Sequence, residues 1–346
     1  MKRTFASTAR AQRAYELVEG LQRFFTEKLD DLSMRYGEAR AFVPVEWLRE
    51  AGRFGGGVRY EAVDETLFNR ASVNISQVHY EGAEEKKLGS ATAISAIVHP
   101  QNPWLPSMHM HISWTEMKDG SGYWRIMADL NPSIEDEASK QRFIERLESV
   151  SGAHYREGTE QGDRYFYIPA LGRHRGVAHF YLENFNGGDF DADLAYAKRF
   201  GEGMIARYIA ILQQMQEAHP HYTTREKEIQ LAYHTLYLFQ VLTLDRGTTS
   251  GLLVHDQNDV GILGSLPAFA DPELLLSWKG AVPAPQDALI KDIVAALGSR
   301  FDLVEITADT KKRLAQAVRA HYRKYPHAIG LQASGNTTPP TVENHR

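Results

Sequence analysis

Residues Ser90 to Pro132 read S-A-T-A-I-S-A-I-V-H-P-Q-N-P-W-L-P-S-M-H-M-H-I-S-W-T-E-M-K-D-G-S-G-Y-W-R-I-M-A-D-L-N-P. From Ser107 to Thr115 the residues alternate in character. Ser107, His109, His111, Ser113 and Thr115 share one face; Met108, Met110, Ile112 and Trp114 share the other. A strand sends successive side chains to opposite faces. One face therefore packs into a core, and the other presents histidines and hydroxyls. Asp119-Gly120 supplies a hairpin turn. The return strand, Tyr123 to Leu130, alternates too, with Trp124, Ile126, Ala128 and Leu130 apolar. Superposing the two apolar faces puts Thr115 opposite Tyr123 and His109 beside Asp129. A carboxylate there would fix the imidazole tautomer and raise its basicity. The competing reading is a half-solvated sheet whose polar face meets water. Exposed faces favour Thr, Lys and Glu over paired histidines, which argues against it.

Working outward, Ile94 to Val98 is a short buried-strand signal, and His99-Pro100 ends it. Pro100, Pro103 and Pro106 cannot join a sheet interior, so they hold a fixed extended path. Phe68 to His79 reads as a strand. Gly176 to Glu183 alternates again, with Val177, His179, Tyr181 and Glu183 on its polar side. Ala9 to Leu29, Asp191 to Ala218 and Thr223 to about Tyr237 carry helical apolar spacing. Ser133-x-x-Asp136 reads as a capping box opening a helix to about Val150. Tyr165 to Pro169 reads as a strand and Leu171 to Arg175 as a basic turn. Leu252 to His255 and Val260 to Leu263 read as a paired hairpin. Glu50 to Tyr60, with Gly52, Gly55, Gly56 and Gly57, reads either as a glycine-rich anion-binding loop or as a tight structural loop.

Composition bounds the function. The net charge is -5, so no nucleic-acid footprint is expected. The chain has no cysteine, which excludes disulfides, thiolate nucleophiles and cysteine-ligated metal centres. Met1 to Gln12 is basic with no apolar run behind it, unlike a secretory signal. No stretch approaches a membrane span in length. These features predict a soluble cytoplasmic protein. Residues 1–330 read as one catalytic domain, with a core over 42–267 and C-terminal helices over 285–324. Residues 331–346 read as a disordered tail.

The motifs resemble those of the oxygen-dependent coproporphyrinogen III oxidases. V-H-P-x-N-P-x-x-P-S-x-H, beginning at Val98, is similar to that family's signature. Ser90-Ala91-Thr92-Ala93, Ser72 to His79, Arg49-Glu50-Ala51-Gly52 and Tyr165-Phe166-Tyr167 match flanking elements in order. Asp129-Leu130-Asn131-Pro132 resembles D-L-T-P, and Asp245-Arg246-Gly247-Thr248 resembles a D-R-G-T element. The order holds from about Phe42 to Pro267.

The resemblance implies an α/β fold: a large antiparallel sheet flanked on both faces by helices. It implies oxidative decarboxylation of two propionates on a tetrapyrrole substrate by a homodimer. Dioxygen is the co-substrate and no cofactor is required. It assigns Asp245 as the catalytic carboxylate, with Arg246 beside it, and His109 as the general acid. Ser95 and Asp129 fall on the substrate side. Arg53 in the glycine-rich segment is expected to meet a propionate, since an arginine fork suits carboxylates. Several family features are absent. The N-x-R after the second histidine is replaced by His111-Ile112-Ser113. The glycine-glycine-arginine element is replaced near His255 to Asp259, and downstream histidines have no counterpart at Lys140 or Ala170. Arg125, Arg173, Arg175 and His111 are the expected substitutes. Three alternatives stay open: a related decarboxylase with another substrate, a tetrapyrrole-binding protein without turnover, and a divalent-metal oxygenase. The metal would be held by His99 and His109, with His111, Glu116 or Asp129 in support.

Overall fold

A computed structural model describes residues 2–335 and 341–345 of the chain. Seven strands make one antiparallel sheet. They are β1 (Val43–Leu48), β2 (Gly55–Glu61), β3 (Phe68–His79), β4 (Leu88–Pro100), β5 (Ser107–Met117), β6 (Gly122–Asn131) and β9 (Ala178–Phe185), side by side in that order. Between β6 and β9 the chain forms α2 (Glu137–Ser151), α3 (Tyr155–Phe166) and a two-residue ribbon, β7 (Tyr167–Ile168) with β8 (Arg173–His174). The expected fold class is the observed one, helices covering both faces of the sheet.

The β5–β6 register is the one that the alternation predicts. Thr115 pairs with Tyr123, and His109 pairs with Asp129. Met108, Met110, Ile112, Trp124, Ile126 and Leu130 are all buried on the opposite face. There they meet α1 (Ala9–Tyr36) and α4 (Phe190–Ala218) through Leu21, Phe25, Phe200 and Met204. Burying each such side chain contributes about 1.5–3 kcal/mol. A one-residue slip would turn this face to the other side. Burial of the methionines and tryptophans therefore decides which way the histidines point.

The histidine face is roofed by helices drawn from the second half of the chain. These are α5 (Thr224–Thr243), α6 (Arg246–Val254), the single turn α7 (Asp259–Ile262), α8 (Pro272–Ser277), α9 (Gln286–Leu297) and α10 (Ala308–Lys324). A ribbon of β10 (Phe269–Ala270) with β11 (Val304–Glu305) ties α8 to α10. Thr223 caps α5 in a full capping box with Glu226.

Several local expectations are corrected. The glycine run is not a loop: Gly55–Glu61 is a strand paired on both sides. Gly55 and Gly56 have φ of +91° and +156°, and a Cβ on either would strike a backbone carbonyl of a neighbouring strand. The glycines serve strand packing rather than anion binding. Leu252 to Leu263 is helical, in α6 and α7, not a hairpin; short apolar runs do not separate the two by period. The α2 cap is Asp136, not Ser133. Tyr165 and Phe166 end α3, so only Tyr167–Ile168 remains as strand. The tail is ordered in part. Residues 332–335 run along the helical roof, and Thr341–His345 forms α11, with Val342 and Asn344 buried. Residues 336–340 and 346, also assigned to a disordered tail, lie outside the described residues.

Two glycine-to-alanine changes are expected to act with opposite sign. Gly158 on α3 faces Phe180, and an added Cβ would overlap its ring. Gly158→Ala should destabilise, because overpacking costs about 1–3 kcal/mol and exceeds the helix-propensity gain of about 1 kcal/mol. Gly20 on α1 has nothing within 4 Å of its missing Cβ, so Gly20→Ala should stabilise by up to about 1 kcal/mol. Urea unfolding midpoints of the two variants read the contrast. A destabilised Gly20→Ala or a stabilised Gly158→Ala contradicts the packing described.

Candidate active site

Between the polar face of the sheet and the helical roof lies a cavity of about 300 Å³. Register builds its floor. Asn74, Ser95, His111, Met127 and Tyr181 sit in one row across β3, β4, β5, β6 and β9. Ser76, Ala93, Ser113 and Arg125 form the next row, and Ser72, Ile97, His109, Asp129 and His179 the row on the other side. Asp245, at the joint between α5 and α6, enters from the roof. His109 and Asp245 thus line one cavity.

His109 is held from behind. Its Nδ1 is 3.4 Å from an Arg175 guanidinium nitrogen and 3.7 Å from an Asp129 carboxylate oxygen. Asp129 and Arg175 form an ion pair in which neither side chain is exposed. Arg175 also donates to the side-chain Oε1 of Gln240 at 2.7 Å and lies over the rings of Phe166 and Tyr237. Arg175 only donates, so Nδ1 of His109 accepts, and the neutral ring carries its proton on Nε2. Burial lowers the His109 pKa; Asp129 opposes that shift and Arg175 adds to it. Burial works to raise the Asp129 carboxyl, but Arg175 and His109 outweigh it and hold it below the usual carboxylate range. The sequence placed Asp129 and Arg175 on the substrate. The structure instead spends them on each other, beneath His109.

His111 bonds the Ser113 hydroxyl at 2.9 Å, and burial, with Arg125 and His109 nearby, takes its pKa down to about 3. Ser95 pairs with His111 across the strands, and both face the cavity. Arg125 faces it too, near Tyr123 and Tyr181. Burial raises the phenols of Tyr165, Tyr181 and Tyr237, so all three stay neutral donors. Asp245 caps α6, accepting from the Thr248 N–H at 2.6 Å, and its charge favours the protonated form of His109.

Five expected site residues are elsewhere. Arg246 turns away from the cavity and pairs with the buried Glu183, whose other oxygen accepts from the Gly335 N–H at 2.9 Å. This is a fixture of the roof. Arg53 is exposed and stacks on Phe54. His99 is fully buried, with Nε2 3.1 Å from the Ser265 carbonyl and Nδ1 2.8 Å from the Ser107 hydroxyl. A carbonyl only accepts, so Nε2 carries the proton and Nδ1 takes the hydroxyl's. No lone pair is left for a metal, and the His99–His109 pair does not assemble as ligands. Glu116 is likewise engaged, by Thr8 and Trp114. Among the described residues no three histidine or carboxylate side chains gather as a ligand set. Arg173 stands at a separate surface groove of about 400 Å³, lined by Ile229, Leu236 and Trp278 among others. That groove lacks the facing imidazole and carboxylate of the sheet cavity.

The sequence reading missed Tyr237 and Gln240, on a helix buried nearly all round, and His255 and His345. Tyr181 did carry a signal, in the alternation of β9.

A cavity on an antiparallel sheet, with a neutral histidine backed by a buried carboxylate and a second carboxylate in its wall, defines an enzyme-type site. The chain belongs to the coproporphyrinogen III oxidase family, whose model matches residues 13–279. It is 32% identical to the oxygen-dependent coproporphyrinogen-III oxidase of Rickettsia bellii (strain OSU 85-389) over 240 residues, which covers 65% of this chain and 83% of that one. The Rickettsia akari protein of the same name is 30% identical over the same shares. The mitochondrial protein of that name from Rattus norvegicus is 28% identical over 75% of this chain and 62% of its own. Among the described residues no helix is long and apolar enough to cross a membrane.

The buried histidines carry a pH prediction. Burial takes His99 and His111 down to about 3 and lowers His109. An unfolded histidine titrates near 6.5, so below that pH the unfolded chain binds protons that the folded chain refuses. Stability is therefore expected to be full above pH 6.5 and to fall between 6.5 and 5, by up to about 1.4 kcal/mol per pH unit for each such histidine. Carboxylates do not titrate strongly in that window. Equal urea midpoints at pH 7.5 and 5.2 would contradict the neutral burial.

Proposed function

We propose that this protein catalyses the oxygen-dependent oxidative decarboxylation of coproporphyrinogen III to protoporphyrinogen IX, a step of heme biosynthesis. The observation that carries the reading is the shared cavity of His109 and Asp245 in a chain of this family. At each of two propionates, –CH2CH2–COO⁻ plus O2 plus H⁺ gives –CH=CH2, CO2 and H2O2. The propionate is oxidised by two electrons and dioxygen takes them. No protein group changes oxidation state, so the reading needs no further cofactor.

Asp245, facing the cavity, receives the pyrrole N–H proton, which makes the ring electron-rich enough to react with dioxygen. His109, with its proton on Nε2, donates a hydrogen bond to the substrate, and the net proton that each turnover consumes comes from solvent. Asp129 and Arg175 hold that ring in place as positioning residues. Arg125, beside Tyr181, is assigned to a substrate carboxylate, with Ser95 and His111 as neutral partners. Arg246 is not assigned a chemical role. The same reading includes a homodimer in the cytoplasm; a purely monomeric species in sedimentation would remove the dimer from it.

A second reading is an oxidative decarboxylase of the same family acting on a substrate with fewer carboxylates. It is favoured by the cavity's two lining guanidiniums, of which Arg175 is committed to Asp129. Coproporphyrinogen III supplied in air should be consumed with release of hydrogen peroxide and left unchanged anaerobically. Unchanged substrate in air would select the second reading.

Asn is as good a helix cap as Asp. Asp245→Asn should therefore keep the fold while lowering kcat by about 100-fold or more, the scale of a lost general base. His109→Gln should lower kcat on a similar scale. Near-normal kcat in Asp245→Asn would take Asp245 out of the mechanism.

A further inference from the structure

Lys311 on α10 is a buried amine to which the reaction gives no task. The residue is 3% exposed, and among the described residues no hydrogen-bond acceptor meets its Nζ. Burial, helped by Arg70 and Arg59 and opposed by Glu61, takes the amine down to about 7. A large share of it is therefore neutral at neutral pH, with a free lone pair. Lys227 is the contrast. Burial takes it down only to about 8, and its Nζ donates to the Gln101 carbonyl at 2.6 Å and to Oε1 of Gln230 at 2.8 Å.

The charged neighbours of Lys311 lie across the seam between roof and sheet. Arg59 and Glu61 are on β2, and Arg70 is on β3. Arg59 Nε donates to Glu61 at 2.6 Å. Arg70 donates to the Ile306 carbonyl at 3.3 Å, just before α10, while its buried Nε has no hydrogen-bond partner. Glu305 and Glu65 act on Arg70 from beyond ion-pair distance. The seam thus brings together two guanidiniums, one carboxylate that Arg59 already holds, and an amine without an acceptor. An anion built on that amine would meet donors still unspent.

We propose that Lys311 is a carbon dioxide site, where its Nζ forms a carbamate that the Arg70 and Arg59 guanidiniums stabilise. The Nζ lone pair adds to the carbon of CO2, one C=O electron pair moves to oxygen, and one N–H proton leaves to solvent. Nothing is oxidised or reduced. The resulting –NH–COO⁻ offers carboxylate oxygens to the spare donor of Arg70. It links α10 to β2 and β3, so CO2 tightens the roof on the sheet. Dissolved carbon dioxide is enough for this, and the site stands apart from the tetrapyrrole reading. Under that reading the reaction itself releases the ligand.

The test incubates the full-length protein with isotopically labelled bicarbonate slightly above neutral pH. Carbamates are trapped by ethylation with triethyloxonium, and the labelled peptides are read by mass spectrometry. Label is expected on Lys311 and not on Lys227. Lys311→Met, whose straight apolar stem keeps the packing, should lose it. Arg70→Gln keeps the lysine and should lower its labelling at limiting bicarbonate about tenfold, the scale of one charged hydrogen bond. A ligand of the folded state stabilises it. Bicarbonate should therefore raise the thermal midpoint of the unaltered protein above that in equal chloride, and leave Lys311→Met unchanged. An unlabelled Lys311, or label confined to Lys227 and exposed lysines, overturns the site. A midpoint raised equally by chloride, with no trapped adduct, makes the seam an anion site only and overturns the carbamate.

Discussion

The site depends on the ion pair between Asp129 and Arg175, closed off from water beneath the sheet's histidine face. A buried pair of this kind is not a source of stability in itself, since desolvation offsets much of the attraction. Its worth is geometric. Asp129 is placed by the β5–β6 register, and Arg175 by the ribbon before β9 and by Gln240 on the roof. Sheet and roof therefore meet at one guanidinium. Removing either partner leaves a bare charge, at a cost of about 3–5 kcal/mol. It also removes the group that fixes the His109 ring.

Much of this was legible in the sequence, for a definite physical reason. Strict alternation over Ser107–Thr115, a two-residue turn signal and a matching return strand over-determine a hairpin, and with it the His109–Asp129 pairing. The cavity face follows, because Met108, Met110 and Ile112 leave no choice about the core face. Signals weaken where the determining partner is distant in sequence. Nothing near Arg175 announces Asp129, and nothing near Arg246 announces Glu183. The sequence points to Arg175 as a substrate arginine and to Arg246 as a catalytic partner of Asp245, and the structure engages both with other carboxylates. Asp245 is double in function at the level of structure, both a helix cap and a cavity wall, and a local motif cannot separate the two.

The errors share a cause. Gly55, Gly56 and Gly57 were read as a loop because glycine disfavours strands; here the neighbouring strands approach too closely for any Cβ. Leu252 to Leu263 looked like strand because its apolar runs are short. The stretch from Tyr155 to Arg164 carries no strong apolar period because Gly158 and Gly162 make its packed face, where bulk is absent rather than present. The tail's polar composition concealed that His345 finds partners at Tyr80, just beyond β3, and at His255 in the cavity wall. In each case tertiary contact overrides local preference.

The account stands on the claim that the space between His109 and Asp245 is where the tetrapyrrole reacts. A crystal structure with coproporphyrin III bound tests this most directly. The account places the macrocycle against the β4–β5–β6 floor, with a pyrrole nitrogen edge toward Asp245 and a propionate near Arg125. A macrocycle seated instead in the open groove beside Trp278, with the sheet cavity left without ligand, would contradict it.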